Sequence, residues 1–174
     1  MTKALVIIDV QKAMFEDPTS QPFDGEAVVA RIADLIAKAR AQGIPIFYVQ
    51  HDGGKDDSFG AGKPGFAFAD AIAPQPGDDV TVKTKSSAFH GTDFDAKLKR
   101  AGIDHLIITG MQSEYCVTSA IRGAYERGYK LTLASDAHST FDTKFATGQN
   151  IVAIIDDTTR GSFADVISAK EIAF

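Results

Sequence analysis

A cysteine, an aspartate and a lysine stand where strand-like runs of the chain give out. Cys116, the only cysteine, lies in GMQSEYCVTSAIRGAYERG (residues 110–128), just where a hydrophobic strand pattern gives way to a helical one. Asp9 directly follows LVII, and Lys83 directly follows DVTV. After Cys116, the residues Val117, Ala120, Ile121, Ala124 and Tyr125 recur at the spacing of one helical face, which puts the thiol in or beside a first helical turn. Unpaired backbone N–H groups and the positive end of the helix dipole stabilise a thiolate there, and a nearby ammonium adds to the effect. A desolvated carboxylate can accept the proton, because burial raises its pKa toward the working range. Sulfur nucleophile, carboxylate base and stabilising cation are the parts of covalent catalysis. Each residue also has a plain structural reading. Cys116 is a small core residue, Asp9 an Asx turn closing over VQK, and Lys83 a solvated strand end.

The chemistry requires those runs to be strands of one sheet. ALVII (4–8), IPIFYV (44–49), DVTV (79–82), HLIIT (105–109) and KLTLA (130–134) are short and β-rich, several without polar alternation, as strands buried on both faces are. FADVIS (163–168) fits a last strand. Helical patterns lie between them. The first covers 26–42, with Val28, Val29, Ile32, Leu35, Ile36 and Ala39 on one face and Gly43 as a stop. The others cover 92–101, capped by Thr92 and stopped by Gly102; 116–127, stopped by Gly128; and 144–156. This alternation predicts a doubly wound, mostly parallel, Rossmann-like α/β sheet of about six strands with helices on both faces. Ligands of such sheets bind beyond the carboxyl ends of the strands, which is where Asp9, Lys83 and Cys116 stand. Residues 52–78, rich in Gly, Asp and Pro, read as a long functional loop, and DAHSTFD (136–142) reads as a turn and helix cap.

Composition narrows the classes. At 174 residues, with 44% hydrophobic and 24% charged residues, the chain suits one domain, residues 1–174, with a sizeable core. Its net charge of −5, with basic residues scattered among acidic ones, argues against nucleic acid as a partner. The apolar run in MTKALVIIDVQ is too short for a signal peptide or a membrane span, and a lone cysteine has no intrachain disulfide partner, so a cytoplasmic location is expected. GAGKPG (60–65) lacks the spacing of a phosphate loop, and no G-x-G-x-x-G follows the first strand. The Ala- and Val-rich helical face at 117–125 suggests a homo-oligomer.

Three separated stretches then carry a family likeness: LVIIDVQKAMF; the long run from VKTKSSAFHGTDFD through GMQSEYCVTSAIRGAYERGYKLTLASDA; and FADV near the end. In that order, and over nearly the whole chain, they resemble the isochorismatase-like cysteine hydrolases. The resemblance implies an Asp9–Lys83–Cys116 catalytic triad, with Lys83 preferred to Lys85 because the family's lysine stands four residues before the serine of SAF, here Ser87. It also implies a cis peptide between Met111 and Gln112 and an oxyanion hole from the N–H groups of Gln112 and Cys116. Metal-dependent nicotinamidases of the superfamily carry a second histidine shortly after strand two. Here His51 is followed by no histidine before His90, so no metal and no cofactor are expected, and His51 reads as a pocket residue. Phe15, Phe59, Phe66, Phe68 and Phe89 fall in loops expected to ring the site; Phe15 and Phe89, with His51, are the expected substrate contacts. Keeping Cys116 leans the chain toward small-molecule amides and away from the vinyl ether that isochorismatase hydrolyses. The alternatives are a nicotinamidase-type amidase with a degraded metal site, or a non-catalytic binding protein on the same fold.

Overall fold

The computed structural model describes residues 1–174. Six strands form one parallel sheet: β1 (Lys3–Ile8), β2 (Ile46–His51), β3 (Asp79–Lys83), β4 (His105–Met111), β5 (Lys130–Ser139) and β6 (Asp165–Ile167), in the order β3-β2-β1-β4-β5-β6. Four helices cover it: α1 (Gly25–Ala41), α2 (Phe94–Arg100), α3 (Thr118–Tyr125) and α4 (Gly148–Thr159). The doubly wound architecture expected from the sequence is the one observed.

Alternation along β1 explains the layering. Ala4, Val6 and Ile8 face a cluster that includes Phe94 and Leu98 of α2 and Ala120, Ile121 and Ala124 of α3. Leu5 and Ile7 face the other cluster, with Val28, Ile32, Leu35 and Ala39 of α1. Both faces of β1 are therefore apolar, and burying each Leu or Ile contributes about 1.5–3 kcal/mol. α1 stops as expected at Gly43, whose φ of 66° a side chain would resist. The apolar face of α3 packs largely into this core, with Tyr125 half-exposed at its end.

Two expectations change. Residues 136–142 are not simply a turn. β5 runs on to Ser139, and past a register irregularity it pairs His138 with Gly110 and Ser139 with Met111. The turn-forming polar side chains find tertiary partners: Asp136 Oδ1 accepts from the Ala169 N–H at 2.6 Å, and Ser139 Oγ donates to the Phe23 carbonyl. Those bonds override local turn preference. The cap of α4 is instead Thr147, whose hydroxyl accepts from the Asn150 N–H at 3.3 Å.

Residues 52–78 form a loop with two short 3-10 turns, Pro64–Phe66 and Asp70–Ile72. Its second half is tied from beneath. The fully buried Gln11 donates to the carbonyls of His51 (3.0 Å) and Phe66 (2.9 Å) and accepts from the His51 N–H (2.8 Å). Gln50 adds a 2.7 Å bond to the Phe66 carbonyl, and the Ala69 N–H reaches the Val10 carbonyl at 3.0 Å.

Candidate active site

Beyond the carboxyl ends of β1, β3 and β4 the three sequence-predicted residues meet. Asp9 leaves β1 at a φ of 52°, a left-handed conformation that Asp tolerates better than most residues, with its N–H bonded to the Val49 carbonyl at 2.9 Å. An unusual backbone setting of this kind points to a functional position. Lys83 ends β3 in register with His51 at the end of β2. Its Nζ lies 2.7 Å from Asp9 Oδ2, donates to Cys116 Sγ at 3.3 Å, and stands 3.5 Å from His51 Nδ1. Asp9 and Lys83 are each only 1% exposed, so the Asx-turn and solvated-lysine readings give way to a buried ion pair touching the thiol.

Cys116 sits in a single π-helical turn, Ser113–Val117, directly ahead of α3. Such turns cluster at functional sites. β4 comes so close to β1 that a Cβ on Gly110 would lie 2.1 Å from the Ile8 carbonyl oxygen, so only glycine fits there. The Met111–Gln112 peptide bond that follows is cis.

The Cys116 sulfur and the Asp9 carboxylate border a cavity of about 320 Å³ lined by Asp9, Met14, His51, Asp57, Phe59, Ser86, Gln112, Tyr115 and Cys116. His51 lies where it was expected. Phe15 lines a separate cavity of about 420 Å³ around the Lys12–Asp70 ion pair, which holds no nucleophile. Phe89 is buried in the core, 5.1 Å from the Phe94 ring and beneath the Arg127 guanidinium. Phe68 packs on Tyr48, which leaves Phe59 as the phenylalanine of the cavity wall. Ser86, whose hydroxyl is 3.9 Å from Cys116 Sγ, was missed, although its place three residues after the triad lysine was a signal.

The electrostatics reverse one expectation. Cys116 is not held as a thiolate: burial first, and then the Asp9 carboxylate, push its thiol up to about 11, with Lys83 pulling the other way. Burial also raises the Asp9 carboxyl, against the pull of Lys83, which makes it a better proton acceptor. His51 is lowered by burial and by the Lys83 charge. Alkylation by iodoacetamide is therefore expected to be slow at neutral pH and to climb about tenfold per pH unit toward pH 10, following the thiolate fraction. Lys83→Ala should move that profile to higher pH, and Asp9→Asn to lower pH. A rate already maximal at pH 7 would contradict this electrostatic picture.

A family model described as the isochorismatase domain matches residues 3–171. Streptothricin hydrolase from Streptomyces noursei is 33% identical over 146 residues, covering 84% of this chain and 58% of that protein. A ureidoacrylate amidohydrolase from Methylobacterium radiotolerans is 30% identical over 171 residues, covering 78% of this chain and 66% of its own. The chain spans less than two thirds of the length of each of these two relatives. A cysteine hydrolase from Pseudomonas syringae pv. phaseolicola superposes with a TM-score of 0.90 at 25% identity, over 98% of this chain and 90% of that one. With the domain match running almost from end to end, the chain belongs to the isochorismatase family.

Proposed function

We propose that this protein hydrolyses the C–N bond of a small-molecule amide through a thioester on Cys116. The observation that carries the reading is Lys83 Nζ, 2.7 Å from Asp9 and 3.3 Å from Cys116 Sγ, beside a cavity on the small side for a ligand pocket. The amidohydrolase and cysteine hydrolase among the relatives support it.

Because the thiol rests protonated, proton transfer accompanies attack. Asp9 takes the Cys116 proton as sulfur bonds to the carbonyl carbon, and the C=O electron pair moves to oxygen. Lys83 keeps the sulfur's developing charge stable. The N–H groups of Gln112 and Cys116 then hold the oxyanion, a role supported by a Gln112 N–H that donates to no protein acceptor. Collapse breaks the C–N bond, and the leaving nitrogen takes the proton from Asp9. Water then gives a proton to Asp9 and attacks the thioester. Collapse of this second oxyanion breaks the C–S bond, the acid leaves, and the sulfur takes the proton back from Asp9.

A nicotinamidase-type metal does not fit these residues. His51 is the only histidine lining the cavity, its Nδ1 faces the Lys83 ammonium at 3.5 Å, and the His, Cys, Asp and Glu side chains form no group of three in a position to hold an ion. No helix is long and apolar enough to cross a membrane, and the unpaired thiol supports a reducing, cytoplasmic setting.

A screen over small amides, read by ammonia or amine release and by the intact mass of the protein, tests the reading. Turnover with an acyl adduct on Cys116, unchanged by exhaustive chelation, is expected. Activity lost to EDTA and restored by zinc or iron would overturn it in favour of the metal-dependent alternative. If no electrophilic amide or ester acylates Cys116, the non-catalytic reading takes over.

A further inference from the structure

Directly behind the nucleophile turn lies a second group of hydroxyl, imidazole and carboxylate that the reaction above does not use. Ser113 Oγ is 2.8 Å from His138 Nδ1, and His138 Nε2 is 3.0 Å from Asp156 Oδ1. Ser113 opens the π-helical turn, His138 stands near the end of β5, and Asp156 belongs to α4. These are the residue types of a serine hydrolase relay, yet burial excludes that use. Ser113 is 0% exposed and His138 1%, so no substrate carbonyl can reach the hydroxyl.

The direction of the bonds follows from the carboxylate at the end of the chain. A carboxylate only accepts, so the His138 Nε2–H donates to Asp156, and in the neutral imidazole this leaves Nδ1 to accept the Ser113 O–H. Burying such a chain costs more than packing apolar side chains of the same volume. What it supplies is direction. The Ser113 carbonyl accepts from Thr118 Oγ1 at 2.7 Å, and the neighbouring Glu114 accepts from Thr140 Oγ1 at 2.9 Å. His138 and Thr140 thus bind successive residues of the turn, while the His138 backbone pairs with Gly110, two residues before Gln112. One strand end grips both what precedes the nucleophile and the turn that carries it.

We propose that Asp156, His138 and Ser113 form a positioning device that sets the π-helical turn, so that Cys116 Sγ meets Lys83 and Asp9 while the Gln112 N–H is kept for the oxyanion. The inference rests on Cys116 being the nucleophile. His138 and Asp156 touch no reacting atom and act through Ser113.

The test compares Ser113→Ala, Ser113→Thr, His138→Leu, His138→Asn and Cys116→Ala on an amide the screen yields, with Tm measured for each. Ser113→Ala and His138→Leu are expected to lower kcat by about 10–100-fold with KM changed less than about threefold. Ser113→Thr keeps the hydroxyl, and His138→Asn keeps an acceptor near the Nδ1 position; each should recover most of the loss. If Cys116→Ala still turns over, the nucleophile assignment fails and the device with it. If Cys116→Ala is dead while Ser113→Ala and His138→Leu keep kcat within about twofold, the nucleophile stands and the positioning role is overturned. Should only the leucine variant misfold, Ser113→Ala decides; misfolding of both would mean the chain serves stability alone and would likewise overturn it.

Discussion

Cys116→Ala is expected to remove turnover entirely, a loss of about 10⁴–10⁶-fold, because the step that forms the thioester has no other nucleophile in reach. The neighbouring hydroxyl of Ser86, 3.9 Å from the sulfur, makes no hydrogen bond to Lys83 or Asp9 that could activate it. The substitution trims one sulfur from the edge of a cavity, so the fold should hold and Tm should move little. Cys116→Ser should be nearly as inactive, since a hydroxyl is harder still to deprotonate than a thiol already pushed up to about 11. The acyl adduct seen by mass must vanish in both variants. A Cys116→Ala protein that still releases ammonia would return the cysteine to the core.

Asp9→Asn is the second large effect, and it has two components that must be separated. Removing the base should cost about 10²–10⁴-fold in turnover. It also leaves Lys83, 1% exposed, without its counter-charge at 2.7 Å, and breaking a buried pair from one side destabilises by about 3–5 kcal/mol. The double variant Asp9→Asn/Lys83→Met removes both charges and should recover much of that stability while staying inactive. The alkylation profile adds a third signature. Without the carboxylate the thiol titrates at lower pH, so Asp9→Asn should be more easily alkylated and yet slower to turn over. Loss of activity that tracks Tm alone, with rescue in the double variant, would make Asp9 structural.

The sheet was legible because β1 and β4 are buried on both faces, so their sequences carry apolar runs, ALVII and LII, without polar alternation. The three candidate residues were legible because Asp9 and Lys83 directly follow strand runs and Cys116 lies in the turn after another. The aromatic residues were not, since Phe15, Phe59 and Phe89 come from similar connecting segments and only long-range packing decides which wall each joins. The thiol's protonation state was misjudged for a related reason. Helix-end effects are local and readable, whereas burial and the charge of Asp9 come from contacts about a hundred residues away in the chain. His138 sat inside a turn-like string of polar residues, and nothing local revealed that the strand would continue through it. Its partners, Ser113 and Asp156, are set by β4 and α4.

The ties beneath the 52–78 loop divide it unequally. Gln11 and Gln50 hold the part around Phe66, while the part from Asp52 to Ala61 closes on itself, with Asp52 Oδ1 accepting from the Gly54 N–H at 2.9 Å and the Ala61 N–H at 3.1 Å. Apart from the Asp52 N–H, which donates to the Lys83 carbonyl at 2.8 Å, that self-closed part makes no hydrogen bond to Asp9, Lys83 or Cys116, and it contributes Asp57 and Phe59 to the cavity. It is a detachable cassette: mutations can accumulate there and refashion what the cavity admits without touching the bond-breaking apparatus, so recognition and chemistry are inherited on separate pieces of the chain.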